Sequence, residues 1–109
     1  KDEVPIVDFL SLKDLNDNYE KHTGKLILKT LQDKKLNAYT CPGVIVAGHG
    51  PFTWGSQYNS SVINAEVLEF VAKTTYLSTV IKIKKKLPKY ISNKHYLRKH
   101  GKNAYYGQG

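Results

Sequence analysis

Sulfur-containing residues are nearly absent: the 109-residue chain has one cysteine, Cys41, and no methionine. A single cysteine cannot form a disulfide within the chain, and by itself it cannot provide a thiolate metal site, so we expect a reducing, cytoplasmic setting. Because translation begins with methionine, the lack of any methionine favours a piece of a longer protein.

Long apolar runs are absent as well. The longest purely apolar run covers residues 44–47, whereas a membrane helix needs about 20 apolar residues. No charged and then apolar leader opens the sequence, so we expect neither a membrane span nor a secretory signal. The composition, 40% hydrophobic and 24% charged, predicts one ordinary globular unit.

Acidic residues are missing from the C-terminal part of the chain. Residues 1–69 have a net charge of −2, whereas residues 70–109 carry ten basic and no acidic side chains. Such a block attracts anions: nucleic acid, an acidic partner or a phosphorylated metabolite. The lysine-rich run 82–89 would contact a phosphate backbone, but no arginine cluster, zinc finger or aromatic RNA-binding signature accompanies it. A solvated helix end is therefore favoured over a nucleic-acid site.

The hydrophobic spacing predicts helix, strand, helix and helix in that order. The first helix covers residues 12–34, and Gly24 is its weak point. Side chains four positions apart form its apolar face: Leu15, Tyr19, Thr23, Ile27 and Leu31. The β-branched run 44–47 predicts a strand that is covered on both faces.

Two further helices follow the strand. The second is a core helix that Asn59, Ser60 or Ser61 caps and that ends near Ile81. The third begins near Pro88 and ends at Gly101, and a short tail follows. This order is typical of the α/β class, and because one strand cannot form a sheet, we expect the other strands to come from elsewhere.

His49 is the first candidate for a functional residue. It lies between Gly48 and Gly50 at the end of the predicted strand, at the rim where α/β proteins place their sites. An imidazole held there can bind a metal, but a catalytic zinc needs three protein ligands. From the residues alone, a hydrogen-bonded structural histidine is favoured.

His95 and Arg98 are the second candidate. They lie three residues apart on the predicted third helix and therefore share a face, close to Lys94. An imidazole beside a guanidinium suits an anionic ligand, and a solvated basic face explains the pattern equally well.

Several motifs together resemble one family. They are residues 49–55 (HGPFTWG), 64–69 (NAEVLE), 94–101 (KHYLRKHG) and 104–108 (AYYGQ), with 19–20 (YE) and 23–25 (TGK) in the first helix. The chain is similar to the L-ribulose-5-phosphate 4-epimerases of the class II aldolase superfamily. The resemblance implies a three-layer α/β/α class II aldolase-like fold, with residues 1–109 forming the C-terminal part of a single domain whose N-terminal half is absent.

The resemblance also implies an activity and a site. The family interconverts L-ribulose 5-phosphate and D-xylulose 5-phosphate by a retro-aldol reaction assisted by Zn²⁺ or another divalent metal. His49 then corresponds to a zinc ligand, and Tyr106, with Tyr105 as the alternative, to a tyrosine that transfers a proton across the subunit boundary of a homotetramer. His95 corresponds to a histidine from the adjacent subunit, and we add Arg98 as a substrate contact.

The remaining metal ligands, an acidic catalytic residue and the phosphate-binding loop of the family lie upstream of this chain, so we expect the 109 residues alone to be inactive. A class II sugar-phosphate aldolase is the alternative enzyme. Outside enzymes, the alternatives are a non-catalytic remnant and a basic nucleic-acid-binding module.

Overall fold

The computed structural model describes residues 3–81 and 87–102. The chain divides into two compact units, one of Val4–Thr75 and one of Tyr76–Gly109 with Lys1–Glu3. Within the described ranges, no helix combines the length and the apolar character that crossing a bilayer requires.

The first unit contains a three-stranded sheet with the strand order β1-β2-β3. The strands are β1 (Ile6–Val7), β2 (Gly43–Val46) and β3 (Gly50–Thr53). β1 runs parallel to β2, and β3 runs antiparallel to it. The expectation that all other strands come from elsewhere is therefore wrong. β1 has only two residues, too few to show the alternating pattern of a strand. Pro51 argues against a strand at β3, but β3 lies at the edge of the sheet, where proline is tolerated.

Two helices replace the single helix expected over residues 12–34. They are α1 (Leu12–Asn16) and α2 (Tyr19–Asp33). The break falls before α2 because the Asn18 side chain accepts a hydrogen bond from the Lys21 N–H at 3.3 Å, which starts a new helix. Gly24, the expected weak point, lies inside α2.

The long helix α3 covers Tyr58–Val80, close to the predicted bounds. Ser60 does stabilise its start, but from the third helical position: its hydroxyl accepts a hydrogen bond from the Gln57 N–H at 3.0 Å, as the acidic member of a capping box does. The expectation of a core helix is wrong for the described chain, because Leu68 is its one buried side chain. Two of its other apolar side chains, Val67 and Leu77, are 55% and 52% exposed.

The last helix, α4, covers Lys89–His100, with Pro88 as its N-cap and Gly101 as its C-cap. The predicted third helix is thus confirmed. Gly101 ends it in an extended conformation, and its N–H donates to the Leu97 carbonyl at 2.8 Å. Residues 82–86 of the lysine-rich run lie outside the described residues.

The core lies between α2 and one face of the sheet. It consists of five buried apolar side chains: Val7, Ile27, Leu31, Val44 and Val46. Burial along β2 alternates, with Val44 and Val46 buried and Ile45 only partly so, which means that the described chain covers one face of the strand fully and the other in part. The prediction of full cover on both faces is therefore wrong for these residues.

Candidate functional site

His49 lies at the tip of the hairpin that joins β2 to β3. Residues 47–49 form the loop, and the His49 N–H donates to the Val46 carbonyl at 3.0 Å. Gly48 has a φ of +75°, the value that the third residue of a type II turn requires. Gly50 has a φ of +129°, which residues other than glycine rarely adopt. The two glycines therefore fix the backbone on both sides of the imidazole.

The His49 side chain is exposed and contacts two aromatic rings. Its ring centroid is 4.7 Å from that of Phe52 and 6.3 Å from that of Tyr19, with which it is stacked at an interplanar angle of 27°. Within residues 3–81 and 87–102, neither imidazole nitrogen has a hydrogen-bond partner. The hydrogen-bonded structural histidine favoured from the residues alone is therefore not what the described chain contains.

The segments on either side of the tip are tied to the rest of the unit. Phe9 packs against Gly48, where an added Cβ would lie 3.0 Å from the phenyl Cε1. After β3, the Trp54 Nε1–H donates to the Ala38 carbonyl at 2.8 Å, and the Asn64 amide donates to the Trp54 carbonyl at 2.8 Å. The hairpin that carries His49 is thus held at both ends.

The donor set of this chain fits a metal site only in part. In the portion that the structure describes, no group of three or more histidine, cysteine, aspartate or glutamate side chains is placed to hold a metal ion. His49 can offer one imidazole nitrogen from a fixed backbone. A catalytic zinc needs two more protein ligands, which other polypeptide would have to supply.

The other predicted site residues belong to the second unit or fall outside the description. His95 is exposed and Arg98 is partly buried, and both lie on α4, one turn apart. The structure therefore places this pair on one helix face, as predicted. Tyr105 and Tyr106 lie outside the described residues.

Sequence reasoning gave His22 no role, yet the structure places it between two carboxylates. Its Nε2 is 2.8 Å from Asp17 Oδ2, and its Nδ1 is 3.5 Å from Asp14 Oδ1. The hydrogen bond from His22, helped by one from the Asn18 backbone, lowers the pKa of Asp17 below its ordinary value. The cluster ties α1 to α2, and the break between these helices, which the spacing did not reveal, creates it.

A groove of about 340 Å³ lies beside this cluster, between α2 and the segment that precedes it. Its lining residues are Phe9, Leu10, Ser11, Asp14, His22, Lys25, Leu26 and Lys29. Lys29 already pairs with Asp33 at 2.7 Å, and Asp14 adds negative charge, so the groove presents no concentrated charge of one sign.

Comparison with known proteins gives the family. The family model described as "Class II Aldolase and Adducin N-terminal domain" matches residues 2–76, which include the whole His49 hairpin. The chain belongs to this class II aldolase family. Its mixture of helices and a small sheet agrees with the predicted α/β class.

Two curated relatives of this class II aldolase chain are named L-ribulose-5-phosphate 4-epimerase UlaF, one from Salmonella paratyphi C (strain RKS4594) and one from Salmonella choleraesuis (strain SC-B67). Each is 40% identical over 107 residues, which is 97% of this chain and 46% of the relative. The predicted resemblance to the epimerases is confirmed. The chain spans about half the length of these relatives.

Proposed function

We propose that this class II aldolase chain forms part of a pentulose-phosphate epimerase that interconverts L-ribulose 5-phosphate and D-xylulose 5-phosphate. The observation that carries the proposal is the exposed imidazole of His49, fixed on a glycine-bounded hairpin within the family match, with no hydrogen-bond partner for its ring nitrogens in the described chain. The 40% identity to proteins named as epimerases supports the choice of reaction.

His49 is the ligand that this chain would offer to Zn²⁺ or another divalent cation. When bound, such a cation would supply Lewis-acid stabilisation of the negative charge that develops on the substrate oxygens as the bond between C3 and C4 breaks. The chain's own contribution is to hold the imidazole at a fixed place, because the turn at Gly48 and the paired β3 strand restrict its backbone.

The residues of α4 and the tail complete the proposal. His95 would orient the substrate or transfer a proton, and Arg98 would contact the substrate phosphate, since a guanidinium binds phosphate through paired hydrogen bonds. Tyr106, or its neighbour Tyr105, would act as the proton donor or acceptor. These groups would serve the site of an adjacent subunit in a cytoplasmic homotetramer.

The 109 residues would form the C-terminal part of a three-layer α/β/α domain. Two metal ligands, the acidic residue and the phosphate loop would come from polypeptide outside the chain, so the chain alone would be inactive. A class II sugar-phosphate aldolase is the second candidate, because the family model describes aldolases. It would release glycolaldehyde phosphate, whereas the epimerase rotates this fragment and adds it back.

The test joins this chain to the part of a Salmonella relative that the chain does not match. In this chimera, His49→Asn should abolish both bound zinc and inversion at C4. The matched control is His22→Asn, which removes an imidazole from the same unit and should leave the metal content unchanged. Unchanged zinc content and turnover in His49→Asn would contradict the proposal, and accumulation of free glycolaldehyde phosphate by the parent chimera would favour the aldolase.

A further inference from the structure

Two aromatic rings lie beside the exposed imidazole of His49. A histidine that binds a metal normally donates its second ring N–H to a carboxylate or a carbonyl, which fixes the orientation and the tautomer of the ring. In residues 3–81 and 87–102, no such acceptor meets His49. Among the described residues, its aromatic neighbours are Phe52 and Tyr19.

These two aromatic residues differ in what they can restrict. Phe52 lies three residues after His49 on the same hairpin, so it moves with the hairpin. Tyr19 is the first residue of α2, a separate element, and its ring stacks on the imidazole at 6.3 Å between centroids. Ring pairs at this separation attract each other in an offset arrangement. Tyr19 is therefore the ring that connects the imidazole to α2.

The place of Tyr19 is itself well determined. Its side chain is half-buried, and its carbonyl accepts a hydrogen bond from the buried Thr23 hydroxyl at 2.8 Å. Farther along α2, Ile27 and Leu31 pack into the same core as the strand that leads to His49. Because one core holds both elements, its packing fixes the backbone of α2 relative to the strand that leads to His49.

We propose that Tyr19 is a positioning residue for His49, whose ring stack confines the exposed imidazole to one orientation. The inference rests on the ligand role of His49 proposed above. Tyr19 acts through its ring face and not through its hydroxyl, so the conservative change to phenylalanine preserves the effect and a change to leucine removes it.

The first measurement uses the 109-residue chain and the side-chain NMR signals of its histidines, with His49 assigned by the signal lost in His49→Asn. Tyr19→Leu should move the His49 ring protons downfield, because the ring current of Tyr19 is lost, whereas Tyr19→Phe should leave them in place. The matched control is Tyr39→Leu, since Tyr39 is 80% exposed and does not stack on His49. The Trp54 Nε1–H signal reports whether each variant is folded, because this group is hydrogen-bonded to Ala38.

The second measurement is zinc affinity in the chimera described above. Loss of a group that orients a metal ligand costs about tenfold or more in affinity, so Tyr19→Leu should bind zinc about tenfold more weakly while Tyr19→Phe should match the parent. Equal weakening in Tyr19→Phe would overturn the inference, because the hydroxyl would then be the acting group.

The two proposals fail in different ways. An unmoved His49 signal in folded Tyr19→Leu overturns the positioning role. If Tyr19→Leu does not fold, the absence of a nuclear Overhauser effect between the two rings in the unmodified chain overturns it equally. Zinc retained by His49→Asn overturns the ligand role, even where the NMR signal shows that the rings stack.

Discussion

Whether a glycine-to-alanine change lowers or raises the free energy of unfolding depends on the backbone conformation of the glycine. Gly48→Ala tests this most directly. Gly48 has a φ of +75°, where a residue with a Cβ is destabilised by roughly 1–2 kcal/mol. The new Cβ would also lie 3.0 Å and 3.2 Å from two carbons of the Phe9 ring. Phe9 is 70% exposed, so its ring can move away and adds little. We therefore expect a loss of about 2 kcal/mol in the free energy of unfolding.

The assay is urea or thermal unfolding followed by the fluorescence of Trp54, the single tryptophan of the chain. A loss of about 2 kcal/mol corresponds to a fall of roughly 10 °C in the melting temperature of a domain of this size. Gly24→Ala is the matched control: nothing lies within 4 Å of the added Cβ and the site is inside α2. There the change should raise the free energy of unfolding by about 1 kcal/mol, because alanine is the better helix former.

A second control separates the backbone strain at Gly48 from the contact of the new Cβ with the Phe9 ring. Gly50 also has a positive φ, +129°, but an added Cβ would meet no atom within 4 Å. Gly50→Ala should therefore destabilise through the backbone alone. If Gly48→Ala proved as stable as Gly24→Ala, the turn would not require a left-handed glycine, and the rigid placement of His49 would lose its basis.

Two further predictions concern the core and the acid stability. Val7 is fully buried and its neighbour Ile6 is 56% exposed. Measured by urea unfolding, Val7→Ala should therefore lower the free energy of unfolding by about 2–3 kcal/mol and Ile6→Ala by less than about 1 kcal/mol. Equal losses would contradict the assigned strand faces. The hydrogen bond from His22 lowers the pKa of Asp17 in the folded state; the ionised carboxylate therefore favours folding above its unfolded pKa of about 3.9, and this contribution disappears as the pH falls through the lower, folded value. Asp17→Asn should flatten that part of the acid-unfolding curve, and an unchanged curve would show that the pair adds no stability.

Much of the helical structure follows from local chemistry. The bounds of α4 follow from Pro88 and Gly101, and the apolar spacing along α2 reveals its core face, because both features depend on residues close in sequence. The break before Tyr19 was missed because the same apolar spacing continues through it, while the cap at Asn18 acts over only three residues.

The candidate site likewise combines features that the sequence reveals with contacts that it does not. The glycines around His49 are visible in the sequence, and they predict a fixed turn that carries an imidazole. The stack of Tyr19 on His49 could not be predicted, because it joins residues thirty positions apart through the packing of α2 on the sheet. The cluster of His22 with Asp14 and Asp17 was missed for a related reason: it depends on the break between α1 and α2, which the apolar spacing does not reveal.

By itself, the sequence determined the bounds of α4, the core face of α2, the hairpin glycines and the likeness to the epimerases, because each of these rests on neighbouring residues or on short motifs. Only the tertiary structure decided that β1 and β3 join β2 in one sheet, that α3 leaves most of its apolar side chains exposed in the described chain, and which rings touch His49. The physical reason is that strand pairing, burial and ring contact are properties of pairs of distant residues. No local preference encodes which distant partner a residue will meet.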